Sequence, residues 1–170
     1  MTQPNASREL FANESALTSA PIIVADNIRT PENIGSIVRL LANIAHSTLI
    51  CVDDNELNLR RIRKTAFSAF NDINIVRRTP DNWRDVIPTD YTIVALETTP
   101  QSTNIFTTEL PARMALVVGN EVHGISTNIL NQCSLAVHIP MTGPCKSMNV
   151  SHATAVALME WMRRMSTNGK

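Results

Sequence analysis

Residues 134–165 read SLAVHIPMTGPCKSMNVSHATAVALMEWMRRM, and this stretch passes from one secondary-structure pattern into another. The run Ser134 to Ile139 is short and mostly apolar, which predicts a strand. A loop with Pro and Gly follows, and then seven residues share one face at helical spacing: Val150, Ala153, Thr154, Ala157, Leu158, Trp161 and Met165. The stretch therefore predicts a strand, a loop and a last helix that packs one face against the rest of the protein.

The same alternation extends towards the N-terminus. Five further short apolar runs predict strands, at Ile22 to Ala25, Thr48 to Val52, Ile73 to Val76, Tyr91 to Leu96 and Met114 to Val118. Four helical patterns lie between them: one that starts at Pro31 with Thr30 as its cap, then Leu59 to Phe70, Asp81 to Val86 and Ser126 to Asn131. Apolar strands that alternate with helices predict an α/β fold with a mainly parallel sheet flanked by helices. Ligands in such folds bind at the carboxyl ends of the strands.

Length and composition limit the function classes. The 170 residues, 44% of them hydrophobic, are enough for a core without disulfide or metal staples. The longest apolar runs are far too short to span a membrane, and the first twenty residues lack the pattern of a signal peptide, so we expect a cytoplasmic protein. We expect a polar leader over residues 1–20, a single domain over 21–166 and a tail over 167–170. The three cysteines have no CxxC spacing, which argues against a disulfide framework and a zinc site.

Basic residues are balanced overall but clustered locally. The chain has 15 Lys and Arg against 15 Asp and Glu, so its net charge predicts no nucleic-acid partner. One predicted helix nevertheless carries four basic residues close together: Arg60, Arg61, Arg63 and Lys64. Such a cluster is either a solvated helix face or a phosphate-binding patch, since the arginine fork suits bidentate phosphate contacts.

Three loop segments next to the predicted strands carry the remaining signal. The chain lacks GxGxxG, GxxxxGK[ST] and GxSxG, which disfavours dinucleotide-binding folds, P-loop NTPases and serine hydrolases. Instead, NIGSIVR (33–39) opens a helix, LVVGNEVHGIS (116–126) follows a strand, and IPMTGPCKSMNVS (139–151) joins the last strand to the last helix. Together these segments place four of the five glycines at strand-to-loop or helix-start positions, where glycine serves turns or close backbone approach.

These three motifs, in this order and at these spacings, resemble those of the SpoU (TrmH-like) branch of the SPOUT RNA methyltransferases. The resemblance covers about Ile22 to Arg164 and implies a C-terminal deep trefoil knot in the sheet. It also implies that S-adenosylmethionine binds at the strand ends, against Leu96, Gly119, Ile139, Met141, Ser147 and Met148. A homodimer is implied as well, with Arg39 near the partner's cofactor. Candidates for its interface are apolar residues of the first helix and, on the last helix, Trp161, Met162 and Met165.

The resemblance further implies a catalytic set: Asn33, Arg39, Glu121, Ser147 and Asn149. Arg39 matches the family's catalytic arginine, as either a base for the ribose hydroxyl or a clamp that orients the ribose and phosphate, because a guanidinium is a poor base at pH 7. Ser147 and Asn149 could alternatively cap the last helix. Arg60, Arg61, Arg63 and Lys64 match positions where related proteins face RNA. The chain departs from the family pattern at Phe67 to Ala69, where a small-residue and glycine stretch is commoner.

We therefore expect an RNA 2′-O-ribose methyltransferase that uses S-adenosylmethionine and no metal, with tRNA ranked before rRNA as substrate. The alternative is a catalytically idle knotted protein that binds S-adenosylmethionine and RNA. The joint presence of Asn33, Arg39, Glu121 and Asn149 argues against that alternative, because a binding module does not need this set.

Overall fold

The fold is a parallel α/β sheet. In a computed structural model, which describes residues 19–45, 47–53 and 56–167, seven strands form one sheet in the order β3-β2-β1-β6-β4-β7-β5. All paired strands run parallel. Their bounds are β1 (Ile22–Asp26), β2 (Thr48–Val52), β3 (Asn74–Arg78), β4 (Thr92–Leu96), β5 (Thr103–Asn104), β6 (Met114–Val118) and β7 (Leu135–His138). The predicted parallel sheet is confirmed, and the two-residue β5 is an addition.

Four α-helices of the described residues connect or flank these strands: α1 (Pro31–Ala42), α2 (Leu59–Ala66), α3 (Thr127–Leu130) and α4 (Val150–Thr167). The helix predicted over Leu59 to Phe70 is too long, because Phe67 adopts a φ of 55° and ends α2, after which a 3-10 turn covers Phe67–Asn71. A second 3-10 turn, Trp83–Val86, stands where a helix was predicted. Within the described ranges, no helix is both long and apolar enough to cross a bilayer.

The core lies on both faces of the sheet. Successive β1 residues alternate between the two apolar clusters, with Ile23 in the cluster on the α1 and α4 side and Val24 in the cluster on the Trp83 side. Both are 0% exposed. Because helices or turns cover both faces, the central strands β1 and β6 are apolar at nearly every position rather than at alternate ones, which is the pattern that predicted them.

Helices α1 and α2 pack closely together at Gly35. A Cβ atom at Gly35 would lie 2.8 Å from the carbonyl oxygen of Ile62 and 2.7 Å from the Cβ of Thr65. The glycine of the first motif therefore permits a close helix–helix approach, which fixes the basic helix α2 against α1.

Several predictions concern features that the structure does not test. The leader residues 1–18 and the tail residues 168–170 lie outside the described residues. The single-domain boundaries and the trefoil knot that the resemblance implies stay predictions.

Candidate active site

A cavity of about 340 Å³ opens at the carboxyl ends of β6, β4 and β7, which are neighbours in the sheet. All six residues predicted to hold the cofactor line it: Leu96, Gly119, Ile139, Met141, Ser147 and Met148. Glu121 and Asn149 line it too. Residues from the second and third motifs are therefore brought together at one edge of the sheet, where α/β folds bind their ligands.

A chain of side-chain hydrogen bonds joins all three motifs beside this cavity. Asn33 Nδ2 donates to Glu121 Oε1 at 2.8 Å, and Asn149 Nδ2 donates to Asn33 Oδ1 at 3.0 Å. We call this chain the Glu121–Asn33–Asn149 relay. Because Asn33 is only 8% exposed, both of its polar atoms need protein partners, and the relay supplies them. The relay fixes the loops of the second and third motifs to the start of α1.

Glu121 also holds the segment that leads into α1. Its Oε2 accepts from the Arg29 amide and its Oε1 from the Thr30 amide, each at 3.0 Å. Burial alone would raise the pKa of Glu121, but these hydrogen bonds and the one from Asn33 outweigh burial and lower its pKa to about 2. The predicted N-cap position of Thr30 is confirmed, but its side chain makes no cap hydrogen bond. A carboxylate with this pKa is a structural anion at neutral pH and a poor proton acceptor.

Asn149 has a second contact, at the start of α4. Its Oδ1 accepts from the Ser151 amide at 2.9 Å and from the Ser151 hydroxyl at 2.7 Å. The Asn149 side chain therefore both caps α4 and belongs to the relay. Ser147, by contrast, is exposed and lines the cavity, in the loop that Lys146 braces through a 2.8 Å hydrogen bond from its Nζ to the Met141 carbonyl.

The loop of the second motif is tightly folded. A Cβ atom at Gly119 would lie 2.2 Å from the Ile125 nitrogen, and Gly124 has a φ of 70°, so glycine is required at both positions. Glu97 supports this loop from β4, because its Oε2 accepts from the Ile125 amide at 3.0 Å. Sequence reasoning missed Glu97, His138 and Lys146 as cavity residues. Glu97 and His138 could have been found from their positions in the sequence, because they lie at the carboxyl ends of β4 and β7, where ligands bind in such folds.

Arg39 lies away from this cavity. The residue is exposed in the last turn of α1, and its guanidinium carbon lies 5.4 Å from the centre of the Phe67 ring. It is not among the residues that line the cavity. Arg39 follows Asn33 by six residues, which corresponds to about 9 Å along a helix axis. The relay end of α1 therefore faces the cavity of its own chain, and the Arg39 end does not.

The four basic residues of α2 are all exposed, but two of them contact other side chains of the protein. Arg61 forms a two-pronged ion pair with Glu32 at 2.8 and 2.9 Å, and Arg63 lies over the Phe70 ring at 4.6 Å. Among the described residues, Arg60 and Lys64 make no such contact. The cluster is thus partly tied to the protein and partly available to a ligand.

Trp161 was a candidate for a dimer interface, and this assignment is wrong. Its side chain is 0% exposed, and its Nε1 donates to the Pro111 carbonyl at 2.9 Å within the same chain. Met162 and Met165 are partly buried against the same core. The large apolar face of α4 therefore packs within one chain.

The chain is similar in sequence to known RNA methyltransferases. It is 27% identical over 154 residues to a 23S rRNA (guanosine-2'-O-)-methyltransferase of Xylella fastidiosa, which covers 89% of this chain and 61% of the relative. It is 28% identical over 152 residues to a tRNA (guanosine(18)-2'-O)-methyltransferase of Mus musculus, which covers 84% of this chain and 9% of that protein.

The chain thus spans about 60% of the bacterial relative and a small part of the mouse protein. Among solved structures, the AdoMet-bound rRNA methyltransferase of Sinorhizobium meliloti is 25% identical, with a TM-score of 0.70 over 86% of this chain and 57% of the other. The model of the SpoU rRNA methylase family matches residues 20–159, and the chain therefore belongs to that family.

Proposed function

We propose that the protein transfers a methyl group from S-adenosylmethionine to a ribose 2′-hydroxyl of RNA, with tRNA ranked before rRNA. The observation that carries the proposal is the Glu121–Asn33–Asn149 relay, which joins the three family motifs at the cavity. Membership of the SpoU family supports the reaction class. The similar proteins named above act on rRNA and on tRNA, so both RNAs belong in the test.

The cavity suits S-adenosylmethionine in size and lining. Its volume lies within the range of about 300–1,000 Å³ that is usual for small-molecule sites. Leu96, Ile139, Met141 and Met148 offer apolar surface for an adenine ring. Glu97 also lines the cavity, and its two carboxylate oxygens accept from the Thr98 and Ile125 amides. When bound, the cofactor would supply an electrophilic sulfonium methyl group. The predicted cofactor residues are therefore proposed to hold it.

Within the predicted catalytic set, the contacts support two kinds of role. The first role is to position the loops, and we assign it to Asn33, Glu121 and Asn149, because their polar atoms form hydrogen bonds with one another and with backbone amides. Ser147 is exposed beside the cavity and is available to a ligand.

Of the two roles open to Arg39, we favour the clamp. The residue is exposed, where a guanidinium keeps its charge and cannot accept a proton. It can bind a phosphate through two parallel hydrogen bonds and so orient the neighbouring ribose. Correct placement of the hydroxyl then supplies most of the acceleration.

We also propose that the working unit is a homodimer. Arg39 is exposed and lies outside the cavity of its own chain, so a complete site needs this side chain from a second copy. The buried α4 face does not provide the interface, which leaves other surfaces of the chain for it. The cytoplasm is the proposed compartment.

The test is incubation with labelled S-adenosylmethionine and undermethylated tRNA and rRNA. We expect label in RNA that resists alkaline hydrolysis at the modified position, because a 2′-O-methyl group blocks the cleaving hydroxyl. Arg39→Ala should lower kcat/KM by about 100-fold or more. Arg84→Ala is the matched control, since Arg84 is an exposed arginine beside Trp83 on the other side of the sheet and should leave the rate unchanged.

Three outcomes separate the proposal from its rivals. Cofactor binding in calorimetry without label in any RNA would favour the idle binding protein. Absence of cofactor binding would refute the assignment of the cavity. An active monomer in sedimentation would refute the shared site.

A further inference from the structure

Phe67 combines two features that a folded protein normally avoids. Its side chain is 67% exposed, so a large apolar surface is in contact with solvent. Its backbone has a φ of 55° and a ψ of −135°, a region that glycine occupies freely and a residue with a Cβ does not. The positive φ ends α2, but glycine would end the helix there without strain, and the exposed ring adds nothing to the core. A large ring held in strained backbone is typical of a functional site.

The surroundings of Phe67 are cationic. The Arg39 guanidinium carbon lies 5.4 Å from the ring centre, within the range of a cation–π contact. The adjoining helix α2 ends at Ala66 and presents Arg60, Arg63 and Lys64 to solvent. An exposed aromatic ring thus lies beside one arginine side chain and directly follows a helix with exposed basic residues.

We propose that Phe67 is the platform on which an unpaired base of the RNA substrate stacks, so that the neighbouring phosphate reaches Arg39. Every nucleobase has a π face that can stack on an aromatic ring, and basic side chains beside the ring follow the backbone of the strand. The inference rests on the function proposed above and adds a substrate-positioning residue to it.

Charge argues for RNA as the occupant rather than a second copy of the chain. Contact between the Phe67 faces of two copies would bring together the guanidinium groups of Arg39, Arg60 and Arg63, which would repel one another. The dimer proposed above is a different contact, because it places Arg39 at the cavity of the second copy. A polyanion meets no such penalty on this surface.

Stability and RNA binding should respond in opposite directions when Phe67 is replaced by glycine. Phe67→Gly removes the backbone strain and the exposed ring, so the Tm should rise while affinity for undermethylated tRNA falls by about 10-fold or more. Phe67→Ala should lose RNA affinity to the same extent without the gain in Tm, because it keeps a Cβ. Phe67→Trp keeps both the ring and the strain and should bind RNA within about threefold of the wild type.

The matched control is Phe106→Ala, which removes another exposed ring, 45% accessible, from the segment between β5 and β6. Its RNA affinity should equal that of the wild type. RNA affinity is measured by fluorescence anisotropy, Tm by calorimetry, and S-adenosylmethionine affinity by titration calorimetry. The cofactor affinity should be unchanged in all four variants.

Unchanged RNA affinity in Phe67→Gly would overturn the inference. So would a loss that follows dissociation of the protein in sedimentation, since the ring would then belong to an interface between copies. If the wild type binds RNA but transfers no methyl group, the proposed function fails while the stacking role is still decided by the affinities. If the wild type binds no RNA, both fail.

Discussion

The Glu121→Gln substitution tests the clamp at the start of α1. The carboxylate accepts three hydrogen bonds, from the Arg29 amide, the Thr30 amide and the Asn33 side chain, at 2.8 to 3.0 Å. Glutamine keeps one acceptor oxygen but places an NH₂ group against the remaining donors. It also removes a negative charge from the N-terminal end of a helix, where such a charge is stabilising.

The pKa of Glu121 sets the size and pH dependence of the effect. A fall from 4.5 to about 2 corresponds to at most ~3 kcal/mol. Because the side chain is exposed to solvent, screening reduces this to about 1–2 kcal/mol. The folded-state pKa is the lower one, so this stabilisation is fully present above pH 4.5 and is lost as the pH falls towards 2. At pH 3 roughly 40% of it should remain.

The assay is urea denaturation of wild type and Glu121→Gln at pH 7 and pH 3. We expect a difference in unfolding free energy of about 1–2 kcal/mol at pH 7, equivalent to a Tm shift of about 3–6 °C, that shrinks to less than half at pH 3. Glu109→Gln, at an exposed glutamate in the segment before β6, is the control and should show no difference at either pH. A difference for Glu121→Gln that is equal at both pH values would refute the reasoning, because the effect would then not come from the ionised carboxylate.

Three further predictions address helix packing, RNA contacts and thiol chemistry. Gly35→Ala should lower the free energy of unfolding by about 1–3 kcal/mol in a urea titration, because the added Cβ would overlap α2. The control is Gly143→Ala, whose Cβ would meet nothing within 4 Å, and its free energy of unfolding should lie within about 0.5 kcal/mol of the wild-type value. Replacing Arg60 and Lys64 together with alanine should reduce the slope of log K against log salt for single-stranded RNA by about 1.4, at ~0.7 for each lost phosphate contact, and an unchanged slope would make them a solvated face. A thiol reagent should label Cys145 alone in the native protein, because hydrogen bonds to Ser147 lower the pKa of its exposed thiol. Burial raises the pKa of Cys133 to about 11 and that of Cys51 to about 12, so neither should react. Labelling of two or three thiols would contradict this prediction.

The central strands of the sheet were predictable because they are buried on both faces. β2 and β6 have the predicted bounds, and the other four predicted strands shift by one or two residues. β5 was not predictable, since two residues, Thr103 and Asn104, carry no periodicity. The end of α2 was missed for a different reason: the pattern of apolar residues continues through Phe70, whereas the backbone turns at Phe67.

The site was predictable in its position and less so in its contacts. The motifs placed the right residues around the cavity because the loops that follow parallel strands share one edge of the sheet. They did not reveal that Glu121 holds the segment before α1, since the two lie about 90 residues apart in the sequence. Glu97 was missed because its role is to hold the Ile125 amide, and no local pattern marks a contact of that kind.

The distribution of hydrogen bonds limits where the chemistry can come from. Asn33, Glu121 and Asn149 already satisfy one another, and breaking those contacts would leave Asn33 buried without partners, which is costly. Under the function proposed above, these three residues would shape the site and would take no part in proton transfer. Arg39, by contrast, has an exposed charge stacked on an exposed ring. Since a guanidinium binds phosphate well and accepts protons poorly, the methyl transfer proposed above would depend chiefly on the placement of the ribose by Arg39.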